Sequence, residues 1–129
     1  MDSLPWQIIF ERMFIMSYKF TPVDGYTTYE GKGHFECLTT RLHNADEVNE
    51  GHTTMGLTHF LPGGGSHMAP APCELIYYCV SGEVTISFGD DDTKVVMHDG
   101  DSVHMGPGTN RAISNTGHVT TKMLVTMTK

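Results

Sequence analysis

Apolar and polar positions alternate most plainly over residues 83–88, where Val84, Ile86 and Phe88 fall on one side and Glu83, Thr85 and Ser87 on the other. A period of two marks a strand with one buried face and one wet face. His34–His43 lacks Gly and Pro and is rich in strand formers. Further strands are expected over 53–61, over the dense apolar run that Glu74 opens, over Lys94–Met97 and Ser102–Met105, and over 111–115 and 118–127. Turns are expected at Pro62-Gly63, Ser81-Gly82, 89–92, 98–100 and Pro107-Gly108, where Gly, Asp and Pro cluster. Residues 17–33 read as irregular structure with an edge strand, and 44–51 as an acidic loop with room for one helical turn. Short strands at intervals of about eight to twelve residues, punctuated in this way, predict an all-β sandwich or barrel.

The chain of 129 residues fits one domain. Residues 1–16 carry Trp6, Ile8, Ile9, Phe10 and Phe14. Glu11 and Arg12 interrupt that apolar run and no small-residue cleavage site follows, so it reads as an arm packed on the barrel or on a second subunit rather than as a leader. The barrel domain is then 17–129. A formal net charge of −7, with eight scattered basic residues, argues against nucleic acid as a partner. No apolar run is long enough for a membrane helix. Cys37, Cys73 and Cys79 are odd in number and include no Cys-x-x-Cys pair, so they read as free thiols of a cytoplasmic, reducing compartment.

The turn glycines and strand order over about 57–127 resemble the cupin superfamily, small jelly-roll β-barrels that hold a metal or a ligand in the barrel mouth. The residues that carry the resemblance are Pro62-Gly63-Gly64, the run from Tyr77 to Glu83, Gly100-Asp101, Pro107-Gly108 and Asn115-Thr116-Gly117. The resemblance implies a His-x-His pair, a Glu and a later His converging on a divalent cation. Here His67 fills the first position, Ala69 the second and Arg111 the last. Counting on from His67, the glutamate falls on Glu74; counting back from Gly82, its place falls on Leu75. Either a β-bulge turns Glu74 inward, or Glu74 faces out and Leu75 lines the pocket.

Two ligand positions are thus replaced, and the resemblance implies a barrel whose metal motif is degenerate. The leading expectation is a pocket for an anionic organic compound, with Arg111 gripping a carboxylate. His67, Glu74 and Tyr78 are the candidate acid–base groups, for isomerase, lyase or cyclase chemistry without an obligatory metal. Tyr77, His104 and His59 are further candidate ligand-binding residues. The alternative is a dioxygenase or isomerase using Zn, Ni, Fe or Mn, held by His67 and Glu74 with help from His59 and His104. A non-catalytic sensor or sugar-binding module is a third reading. The resemblance also implies a homodimer.

Overall fold

A computed structural model describes residues 17–129; the arm expected over 1–16 lies outside the described residues. Nine strands follow in order: β1 (Thr27–Tyr29), β2 (His34–His43), β3 (Thr53–Pro70), β4 (Glu74–Ser81), β5 (Val84–Phe88), β6 (Lys94–Met97), β7 (Ser102–Met105), β8 (Asn110–Ser114) and β9 (Thr121–Thr128). All pairings are antiparallel, in the order β6-β5-β8-β3-β9-β4-β7, with β2 on β3 and β1 on β2. Among the described residues the helical content is two short 3-10 turns, Val23–Gly25 and Ala45–Glu47; the second falls in the acidic loop. No described helix is long and apolar enough to cross a membrane.

Strand β3 turns this sheet into a barrel. The sequence predicts a strand that stops at Pro62-Gly63; instead the strand continues to Pro70. Its first half pairs with β9, and its second half, from Gly65, pairs with β8. The Pro62-Gly63 step is therefore a bend within one strand, with Gly63 at a φ of 82°, where a side chain would strain the backbone. Gly64 and Gly65 do something different. A Cβ on Gly65 would lie 1.9 Å from the Ile113 carbonyl oxygen, and one on Gly64 would lie 2.2 Å from that of Glu36. Their missing side chains let three backbones close together. Asn115 locks the corner: its side-chain amide donates to the carbonyls of Phe60 and Val119, and its side-chain oxygen accepts from Gly117 N–H.

Alternation then sorts the faces. In β4, Leu75, Tyr77 and Cys79 point inward and are buried, whereas Glu74, Ile76 and Tyr78 are exposed. Phe60, Leu75, Tyr77, Ile86, Met97 and Met123 are almost wholly buried. Each contributes about 1.5–3 kcal/mol from apolar surface removed from water, less what a compact unfolded chain already hides.

Candidate functional site

Between the two halves of the folded sheet lies a cavity of about 560 Å³. Its floor is apolar and includes Phe60, Leu75, Ile113, Met123, Val125 and Met127. Strand β8 brings Arg111 to it, paired in register with Ala69 of β3 and Phe88 of β5. The Arg111 side chain reaches across the barrel. Its Nε donates to Tyr77 Oη at 3.0 Å, and its Nη1 donates to the Ala69 carbonyl at 2.7 Å. A guanidinium has five N–H groups. Three are left with no partner among the described residues, and no described carboxylate lies within ion-pair distance.

Tyr77 shares this character. Its phenol is held above its usual pKa by burial, against the opposing pull of Arg111. It therefore stays protonated at neutral pH. Because its oxygen already accepts from Arg111, its own proton is free to be donated. The inner wall here consists of donors in search of an acceptor.

His67 also lines the cavity, exposed, with its ring 4.7 Å from that of Phe35 and its backbone N–H donating to Gly33. A register shift in β3 between Ser66 and Ala69 places the extra residue at His67-Met68. A second register shift lies in β4, between Cys79 and Ser81, and neither shift turns Glu74 inward. Glu74 faces out and Leu75 lines the pocket.

Several candidate residues are separated as a result. Glu74 does not meet His67. Its carboxylate instead contacts His104 Nε2 at 2.5 Å on the outer face, where β7 pairs with β4. Tyr78 is exposed on that same outer face, because it is one residue out of phase with Tyr77. His59 projects away from the cavity between Phe60 and Thr58, whose side chains point in. The substitute cluster of His59, His67 and His104 is not assembled, and neither is a His67–Glu74 pair. At the four positions where the family pattern places donors, the chain offers the imidazole of His67 but otherwise the methyl of Ala69, the isobutyl group of Leu75 and the cation of Arg111. Those groups do not fit a divalent metal. Among the described residues no group of three His, Cys, Asp or Glu converges to hold one.

His59 has a separate consequence. Its Nδ1 is buried without a hydrogen-bond partner, and burial, followed by the charge of Lys122, holds its pKa below the ordinary histidine value. A depressed pKa means that folding is favoured above about pH 6.5, the unfolded value, and loses that contribution as pH falls through the folded value. The His59→Leu variant is expected to show a flatter fall in urea midpoint between pH 7 and pH 5 than the wild type. Identical slopes would remove His59 from the acid response.

The sequence reading missed one wall. The β1–β2 hairpin contributes Tyr29, Glu30, Lys32, His34 and Arg41 to the cavity. The Arg41 guanidinium lies 4.4 Å from the centre of the Tyr29 ring.

Comparison with known proteins agrees with this architecture. The family model for the cupin domain matches residues 56–127. A protein named Beta-D-galactosidase Rv1717, from Mycobacterium tuberculosis, is 30% identical over 99 residues, which cover 77% of this chain and 84% of that protein. The chain belongs to the cupin family. Among solved structures, the polyketide cyclase RemF from Streptomyces resistomycificus superposes with a TM-score of 0.73 at 13% identity, covering 85% of this chain and 78% of the cyclase. An RmlC-like cupin from Shewanella frigidimarina gives 0.69 at 16% identity, covering 88% and 93%. At such identities these two likenesses speak for the fold alone.

Proposed function

We propose that this cupin binds a small organic acid inside its barrel, with the carboxylate received by Arg111 and Tyr77. The observation that carries the reading is the inward guanidinium with three unpartnered N–H groups above an apolar floor. A planar carboxylate accepts two parallel N–H bonds from such a fork, and charge-assisted bonds of this kind are about twice as strong as neutral ones. The apolar floor takes the organic body, in the usual division of labour of small-ligand pockets. Where catalysis accompanies binding, His67 is the acid–base group on the wall, and proton transfer without an obligatory metal suits it. A thermal-shift screen pairing carboxylic acids with their primary amides tests the reading. Some acids should raise the melting temperature while their amides do not. Equal effects of acid and amide would defeat it.

A second reading comes from the mycobacterial relative, whose name makes the ligand a galactoside. Glycoside hydrolysis ordinarily needs two carboxylates flanking the bond. Among the described residues, Glu30 is the one carboxylate on the cavity wall. Turnover of nitrophenyl β-galactoside that is lost in Glu30→Gln would favour this reading over acid binding.

The proposal includes a homodimer joined through the outer face of β4, where Ile76, Tyr78 and Val80 are each more than two-fifths exposed. Such contiguous apolar surface is costly to leave wet. Ile76→Asp should halve the mass seen by sedimentation velocity; an unchanged mass would place any dimer contact elsewhere. The free thiols Cys37, Cys73 and Cys79 support a reducing, cytoplasmic setting.

A further inference from the structure

We infer that the ligand carries two separated carboxylates, the second received by Arg41. This rests on the reading that Arg111 takes the first. Strand register supports the inference. Tyr77 stands opposite Val125, Val125 opposite Gly56, and Gly56 opposite Arg41, in one row across β4, β9, β3 and β2. Residues facing each other across antiparallel strands project from the same side of the sheet. Tyr77 and Val125 line the cavity, so Arg41 enters the same space, and it is itself on the wall. Three interstrand steps separate the Arg41 and Tyr77 backbones by about 14 Å. Side chains of this length at the two ends leave room for a short chain of carbons between two acids.

The floor between the two ends is low and carries one hydroxyl. Gly56 has no side chain, and Tyr29 Oη lies 3.7 Å from where its Cβ would be. Only Val125 rises between them in that row. Arg41 is held over the Tyr29 ring, which fixes its plane before a ligand arrives. It makes no ion pair with any described carboxylate, Glu30 included. Charge points the same way. In a chain of net charge −7, the described wall sets Lys32, Arg41 and Arg111 against Glu30 alone. A single carboxylate would leave one guanidinium unanswered; a dicarboxylate answers both.

Isothermal titration with the α,ω-dicarboxylates from succinate to sebacate, each beside its monoamide, tests the inference. In the wild type the best-fitting dicarboxylate should bind about tenfold more tightly than its monoamide. Arg41→Gln should erase that difference while leaving the monoamide within about twofold, and Arg41→Lys should keep part of it. Arg111→Gln should weaken diacid and monoamide alike. If diacid and monoamide bind the wild type equally, or if Arg41→Gln keeps the preference, the second subsite is overturned. If Arg111→Gln leaves the monoamides unaffected, the reading of Arg111 fails instead. If no acid in the series binds the wild type, both fall.

Discussion

Replacing Gly65 by alanine is expected to destabilise the fold by about 3 kcal/mol or more, at the severe end for a single methyl group. The added Cβ would arrive 1.9 Å from the carbonyl oxygen of Ile113. That oxygen belongs to the backbone of β8, which is pinned on its other side by β5, so it has nowhere inexpensive to go. Gly63→Ala is the instructive contrast. Gly63 has a φ of 82° but nothing within 4 Å of its would-be Cβ, so it should show only the cost of a left-handed conformation, about 1–2 kcal/mol. Urea unfolding of the two variants measures both. Equal losses would mean that the glycine run serves only backbone freedom, and that β3 and β8 do not approach as closely as described.

The second large effect concerns binding. Arg111→Gln should weaken any carboxylate ligand about ten- to a hundredfold, the range for losing hydrogen bonds to a charged group. Arg111→Lys should recover only part of this, since an ammonium keeps the charge but loses the flat fork. Fold stability should also fall modestly. Glutamine is too short to serve both the Ala69 carbonyl and Tyr77 Oη, and the tyrosine is buried. Titration calorimetry with an acid from the screen gives the first effect, and urea unfolding the second. Undiminished affinity in Arg111→Gln would detach the ligand from this guanidinium.

Much of the barrel was legible because period-two alternation is a local signal. It gave β6 and β7 with their bounds and β5 to within one residue, and for β4 it required that one of Tyr77 and Tyr78 point inward without saying which. The direction of Glu74 was not legible in the same way. The two residue counts disagreed by one, and both were sound. They differed because strands absorb extra residues in bulges, and a sequence does not say where a bulge falls. Between His67 and Gly82 the register shifts twice, at His67-Met68 in β3 and between Cys79 and Ser81 in β4. The Arg41 wall was hidden for a different reason. Its place in the cavity depends on β2 pairing with the first half of β3 so that Arg41 meets Gly56, a relation between strands that no local pattern carries. The continuation of β3 past Pro62 was missed because Pro-Gly is the ordinary signature of a stop. Here it marks the point where one strand leaves one half of the sheet for the other.

The proposed function requires the Arg111 guanidinium and the Tyr77 hydroxyl to receive one acid group together inside the barrel. A crystal structure of the protein with the best acid from the thermal-shift screen tests it most directly. Carboxylate oxygens are expected at about 2.7–3.0 Å from the free Arg111 nitrogen and from Tyr77 Oη, with the organic body over Val125 and Met123. An acid bound elsewhere, or Arg111 turned out to solvent with an ion coordinated by imidazoles in its place, would contradict it.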